Sequence, residues 1–279
     1  MVAIGCRLGI PTVYVDESLV ATERQATTNK IEIMLSSDEI ELYNIFFVSK
    51  GVLSLHRIGS RITGNSGPSF ASLGAFLKTR NGENDLFYIL LSNHFAKILH
   101  NVGDTHLRIS PNHDNIAELL PYTDGKYDVA AAELSSGSQN FDMRLKFRSG
   151  EPTLGSVFDS QTDKRRLPGL KVHIWGASTS PGFGKITVHD LSFKEDVPNR
   201  VYVIIEDDDK TTFSKKGDSG SIVCADDVRK QCVDAIAVLS GELTEREKAT
   251  SRRQYIAAPL KACLKDLEER YGHPFTLAK

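Results

Sequence analysis

The chain has 279 residues, 40% of them hydrophobic and 25% charged, an ordinary globular composition with length for one large or two small packed units. With 34 Lys and Arg against 36 Asp and Glu, the formal charge is -2, which gives no general pull toward nucleic acid or an anionic membrane. Four cysteines, Cys6, Cys224, Cys232 and Cys263, are too few and scattered for a disulfide framework and form no CxxC pair, so they read as free, packed thiols of an intracellular protein.

In chain order, residues 1–50 read as an α/β extension. Ile31 and Ile33 alternate with polar neighbours as in a half-buried strand, and Ser36-Ser37-Asp38-Glu39 has capping-box spacing before a helix over Ile40, Leu42, Tyr43 and Phe46. From Gly51 onward the texture changes to short β-prone runs between Gly, Asn, Asp, Pro and Ser clusters, the pattern of an all-β sandwich or barrel. Val52 to Leu55 is the first run. Ser72 to Lys78 and Leu86 to Leu91 then flank an Asn81-Gly82 turn and predict a hairpin whose second strand ends in Ser92-Asn93-His94-Phe95, placing His94 at a strand end. Leu107 to Ser110 and Lys126 to Leu134 follow, the latter with Asp128 ahead of small apolar residues. Residues 135 to about 165 suit a connection, with room for a strand at Leu145-Lys146-Phe147.

A second hairpin is predicted from Leu170 to Gly176 and from Gly182 to Val188, and another strand from Val201 to Ile205. The acidic run Glu206-Asp207-Asp208-Asp209 reads as a solvated loop because like charges repel and stay in water. Ile222 to Cys224 and Val233 to Leu239 form a further pair, across which a Cys224–Cys232 bridge is conceivable. Pro259 to Gly272 reads as an amphipathic helix, with Leu260, Leu264 and Leu267 on one face and Gly272 after the last turn.

One stretch carries candidate chemistry. Gly217-Asp218-Ser219-Gly220 sets a serine between two glycines, directly before the strand Ile222-Val223-Cys224. On its own it reads equally as an ordinary β-turn or as a nucleophile loop, in which Gly217 takes backbone angles closed to other residues and aligns its N–H with that of Ser219 as an oxyanion hole. No HExxH, Walker loop or dinucleotide fingerprint is present, so neither metal nor nucleotide is inferred. The basic run Lys164-Arg165-Arg166 reads as a solvated loop.

Three segments in order, Leu91-Ser92-Asn93-His94-Phe95, Tyr127-Asp128-Val129-Ala130 and Gly217-Asp218-Ser219-Gly220-Ser221, resemble the His, Asp and Ser segments of the chymotrypsin-like (trypsin-like) serine proteases. Ser72 to Phe76, Val102-Gly103-Asp104 and Trp175 to Thr179 with Gly182 to Ile186 further resemble the disulfide-poor, intracellular branch of that family. The resemblance implies a mostly β fold of two six-stranded antiparallel β-barrels with a C-terminal α-helix. The expected boundaries are 1–50 for the extension, 51–150 for the barrel with His and Asp, 151–258 for the barrel with Ser, and 259–279 for the helix and tail. It implies a serine endopeptidase, free of cofactors and acting on protein or peptide, in which Ser219 is the nucleophile, His94 the base and Asp128 its orienting acid. Gly217 and Ser219 would supply the oxyanion N–H groups, and Phe213, Lys216, Ser240 and Gly241 would contact substrate.

Three departures qualify the resemblance. Phe95 and Lys215 stand where secreted members have cysteines. Arg61-Ile62-Thr63-Gly64 superficially resembles an activation-cleavage site but lies so near His94 that cleavage would remove a strand, so Asp218 is expected to hydrogen-bond within its own loop instead. Phe213 occupies the position assigned to the primary-pocket floor, so a small or apolar side chain is preferred over a basic one, and Lys215 and Lys216 would favour an acidic neighbour. The competing readings are a catalytically silent protease-fold binding or regulatory module and an esterase using the same acyl-transfer site.

Overall fold

The computed structural model describes residues 2–7, 10–16, 44–48, 56–65, 67–81, 84–109, 115–135, 141–159, 167–192, 200–208, 211–227, 229–243 and 252–278. Two compact units divide the chain, one over Met1–His56 and one over Arg57–Lys279.

The smaller unit holds strands β1 (Val2–Arg7), β2 (Ile10–Asp16) and β3 (Asn44–Val48), with β1 antiparallel and β3 parallel to β2. The strand expected at residues 30–35 lies outside the described residues. The helix expected from Ile40 is a strand by Asn44, because Ile45, Phe46, Phe47 and Val48 are β-branched or aromatic and outweigh the capping-box signal before them.

In the larger unit the first sheet runs β22-β7-β8-β11-β10-β9-β5-β6. Its members are β5 (Arg61–Thr63), β6 (Phe70–Ser72), β7 (Ala75–Asn81), β8 (Asn84–Leu91), β9 (His106–Ile109), β10 (Asn115–Leu119), β11 (Ala130–Leu134) and β22 (Thr276–Leu277). The predicted hairpin forms as β7 and β8, paired from Ala75↔Leu90 out to Asn81↔Asn84. β8 has neighbours on both edges, and Tyr88, Ile89, Leu90 and Leu91 are all buried, which is why its sequence is a continuous apolar run rather than an alternation. This sheet is an open half-barrel among the described residues; the run expected at Val52–Leu55 lies outside them. Arg61–Thr63 is an integral strand with Ile62 fully buried, in keeping with the expectation that cleavage there would cost a strand.

The short strands β4 (His56–Arg57), β12 (Phe141–Asp142), β13 (Leu145–Lys146) and β14 (Pro152–Thr153) lie outside the two large sheets, with β13 and β14 paired to each other. β15 (Gly155–Val157) runs parallel to β20. The second sheet is a closed six-stranded barrel of β16 (Lys171–Ile174), β17 (Gly182–Leu191), β18 (Tyr202–Asp207), β19 (Ile222–Asp227), β20 (Cys232–Glu242) and β21 (Gln254–Pro259), closed by β20–β21 pairing. Its core is a separate apolar cluster that includes Val172, Ile174, Ile186, Ile205, Phe213, Val223, Leu239 and Tyr255.

One local reading holds and another changes. Cys224 pairs in register with Ala235, and Cys232 with Asp227, so the two thiols do not face each other and both are free. The acidic run begins inside β18, where Asp207 Oδ1 accepts the Phe213 N–H at 2.7 Å and the Tyr255 hydroxyl at 2.9 Å. Asp207 is thus a strut between β18, β21 and the segment leading to Gly217, because buried donors required an acceptor there.

The amphipathic helix forms as predicted, as α2 (Leu260–Tyr271), with Leu260, Cys263, Leu264 and Leu267 buried and Gly272 capping it at φ +77°. A second helix, α1 (Asn93–Asn101), follows β8 immediately.

Candidate active site

His94 does not end a strand, as its sequence context suggested; it lies in the first turn of α1. Phe95, Ala96 and Leu99 form the buried face of that helix and anchor it beneath the imidazole. The first turn of a helix has backbone N–H groups without intrahelical acceptors, and Asp128 serves one of them: its Oδ1 accepts the His94 N–H at 2.8 Å. Its Oδ2 lies 2.7 Å from His94 Nδ1. One carboxylate therefore holds both the backbone and the ring of His94, which fixes the ring direction and puts the proton on Nδ1. The hydrogen bond to Asp128 raises the His94 pKa above the usual 6.5, with burial opposing the rise. Of the other aspartates near this segment, Asp104 accepts from Asn65 and from the His106 N–H, and Asp124 from the Tyr122 hydroxyl. Asp114 is outside the described residues.

Asp128 is in turn held by α2. Asp266 accepts the Lys126 N–H at 2.8 Å and the Tyr127 N–H at 3.4 Å. Arg270 donates to the Val129 carbonyl at 2.7 Å and to the Thr123 carbonyl at 3.3 Å, and pairs with Asp266 at 3.1 Å. Both side chains are nearly inaccessible, so this (i, i+4) pair clamps the backbone on either side of Asp128.

The Ser219 segment is two successive β-turns sharing Asp218. The Asp218 N–H donates to the Lys215 carbonyl, and the Ser221 N–H to the Asp218 carbonyl, each at 3.0 Å. In each turn only the third residue has positive φ, Gly217 at +97° and Gly220 at +90°, which defines type II geometry and requires glycine. A side chain at Gly217 would also run into the Phe70 ring. Asp218 is fully buried: its Oδ2 accepts the Lys215 N–H at 2.8 Å, and its Oδ1 accepts the N–H groups of Ser178 at 2.7 Å and Thr179 at 3.1 Å. The expected bond within its own loop is present, and the same carboxylate also draws in the β16–β17 connection.

Both sheets grip this segment. The Ser219 carbonyl accepts the Ser72 N–H at 3.2 Å from β6, and the Gly220 N–H donates to the Leu239 carbonyl at 2.8 Å on β20. Gly220 also packs against the backbone of Leu91 and Ser92, at the root of α1. Ser219 Oγ donates to the Ser240 carbonyl at 3.2 Å and makes no hydrogen bond to His94 in this structure. The N–H groups of Gly217 and Ser219 donate to no acceptor among the described residues.

The expected substrate contacts divide. Lys216 is exposed, and Ser240 and Gly241 are half-buried at the end of β20, Ser240 through its carbonyl touching Ser219. Phe213 is different: it has no accessible surface, and its ring packs tilted against Tyr255, centroids 5.4 Å apart, in the barrel core. Its assignment to the pocket floor is corrected to a packing role, because Asp207 draws its backbone inward. Helix α1, the Asp266–Arg270 clamp and Ser178 escaped the sequence reading.

A closed six-stranded β-barrel, a half-barrel sheet facing it and a C-terminal helix make the fold that of the chymotrypsin-like serine proteases. The chain matches the solved structure of a glutamic acid specific serine protease described as using a novel histidine triad in substrate binding, at 16% identity and TM-score 0.53 over 79% of this chain and 100% of that one. It also matches an alpha-lytic protease homolog, N4, at 13% identity and TM-score 0.51 over 79% of this chain and 99% of that one. No protein-family model and no curated protein matches the sequence.

Proposed function

We propose that the chain is a serine endopeptidase that hydrolyses peptide bonds through an acyl-enzyme. The observation that carries this reading is the double grip of Asp128 on His94, at 2.8 Å to the backbone and 2.7 Å to the ring, together with a serine held in paired type II turns. With Nδ1–H given to Asp128, His94 Nε2 is left as an acceptor for a proton. A serine hydroxyl is a weak nucleophile, so Ser219 Oγ leaves the Ser240 carbonyl, donates to Nε2 and attacks the substrate carbonyl as His94 takes its proton. The Gly217 and Ser219 N–H groups, without acceptors among the described residues, receive the developing oxyanion. The imidazolium then protonates the leaving amine, and water repeats the sequence to release the acid. These are the roles of the established Ser-His-Asp template, carried over to His94, Asp128 and Ser219.

No acidic side chain occurs among Lys216, Ser240 and Gly241, so a peptide library is expected to show no dominance of cleavage after Arg or Lys. The bond from Ser219 Oγ to Ser240, rather than to His94, is the observation that favours a non-catalytic binding module. A fluorophosphonate probe decides between the two. Labelling of the full chain that is lost in Ser219→Ala supports the peptidase, and absence of Ser219-dependent labelling refutes it. Labelling accompanied by turnover of esters but not of amides identifies an esterase.

A further inference from the structure

Taking Ser219 as the nucleophile, as proposed above, we propose that Ser178 is a positioning residue whose hydroxyl holds the Gly217 N–H in the oxyanion-binding orientation. A trans peptide is a rigid plane with its C=O and N–H pointing in opposite directions, so whatever fixes the carbonyl fixes the N–H. Four planes run from Lys216 to Gly220. In the Gly217–Asp218 plane the carbonyl accepts from Ser72 Oγ at 3.0 Å and the N–H donates to the Lys215 carbonyl at 3.0 Å. The Asp218–Ser219 plane is fixed through its carbonyl by the Ser221 N–H at 3.0 Å. The Ser219–Gly220 plane is fixed at both ends, by the Ser72 N–H at 3.2 Å and the Leu239 carbonyl at 2.8 Å.

The Lys216–Gly217 plane differs. Its carbonyl has one partner, Ser178 Oγ at 2.7 Å, and its N–H has no acceptor among the described residues. It is also the central peptide of the Lys215–Asp218 turn, the plane whose reversal converts a type II turn into type I. Glycine at the third position accepts φ of either sign, so Gly217 itself does not prevent that reversal. Reversal would keep the Asp218 N–H bond to Lys215 but turn the Gly217 N–H away from the cleft. The Ser178 hydroxyl is therefore the side chain that selects the competent turn. It sits where it does because its own N–H is bound to Asp218 Oδ1 at 2.7 Å, a bond that a substitution of the hydroxyl leaves in place.

The test compares crystal structures and kinetics of Ser178→Ala and Ser178→Thr in the full chain. In Ser178→Ala the Lys216 carbonyl is expected to reverse and the Gly217 φ to turn negative, while Ser178→Thr keeps the type II turn. With a peptide amide substrate, kcat for Ser178→Ala is expected to fall at least about tenfold and at most by the roughly 10²–10³-fold that losing one oxyanion donor costs, with KM little changed; Ser178→Thr restores it. A type II turn retained in Ser178→Ala, or equal kcat losses in the two variants, overturns the assignment. Failure of the peptidase reading has a different signature, absence of Ser219-dependent probe labelling in the unmodified chain, and the turn conformation of Ser178→Ala still decides the positioning role in that event.

Discussion

Replacing Asp266 with Ala tests whether α2 holds the His94–Asp128 pair in place. The substitution leaves the Arg270 guanidinium, only 6% exposed, without its carboxylate, and leaves the Lys126 and Tyr127 N–H groups without their acceptor. Removing one partner of a buried ion pair costs about 3–5 kcal/mol. Arg270 keeps two carbonyl acceptors, at Val129 and Thr123, which places the expected loss at the lower end, about 3 kcal/mol. For a unit of this size that corresponds to a fall in Tm of roughly 6–12 °C, measurable by calorimetry or near-UV circular dichroism. The segment bearing Asp128 is released at the same time, so the rate of probe labelling at Ser219 falls in protein that is still folded below the transition. The double variant Asp266→Leu/Arg270→Met separates the two effects, since well-packed apolar residues in place of a buried pair are neutral or stabilising. It is expected to recover most of the Tm while labelling stays slow, because the Lys126 and Tyr127 N–H groups remain unheld. A Tm for Asp266→Ala within about 2 °C of the parent would refute the clamp. So would an unchanged labelling rate.

Three further outcomes are expected. Because Asp128 raises the His94 pKa, and the proposed mechanism uses the neutral imidazole as base, kcat/KM is expected to climb with pH through a midpoint above 6.5, and Asp128→Asn to move that midpoint down while cutting the rate by orders of magnitude; a pH–rate profile, or the imidazole shift followed by NMR, measures both. The same raised pKa adds a small stability increment, present in full below 6.5 and lost as pH rises through the folded value, the imidazole being half exposed. Phe213→Ala is expected to destabilise by about 3–5 kcal/mol in a urea titration, as for any large core aromatic, and a cost under about 1 kcal/mol would contradict its burial against Tyr255.

Much of the β architecture was legible because the period-2 alternation and the turn residues agreed. The hairpins β7–β8 and β16–β17 form where Asn81-Gly82 and the Ser/Thr/Pro cluster before Gly182 punctuate them. Helix α2 was legible from Leu260, Leu264, Leu267 and Gly272. Helix α1 was not, since nine residues give barely two turns of period and a preceding strand masks its start. β21 escaped because Tyr255 to Pro259 ends in a residue that usually breaks strands. Within the site, the order of the His, Asp and Ser segments was readable, but their contacts were not. Asp266 and Arg270 look like a surface (i, i+4) pair until the chain brings Lys126 and Val129 against them. Asp207 hides in an acidic run that reads as a solvated loop, and only the Tyr255 hydroxyl and the Phe213 N–H single it out. Phe213 came from resemblance to relatives, and local backbone direction decided otherwise.

The clamp and the edge strand β22 together impose an order of events on biosynthesis. β22 pairs with β7, and Arg270 reaches back 147 residues to Thr123, so the half-barrel that carries His94 and Asp128 is completed by a stretch translated after the whole second barrel. At about 5–20 residues per second, the ribosome takes roughly 7–30 s to cover that distance. During that interval the nascent chain displays His94 and Asp128 on an unfinished sheet, and Ser219 emerges before its partners are locked. On this account the half-barrel that bears the bond between Asp128 and His94 is completed late and in one step.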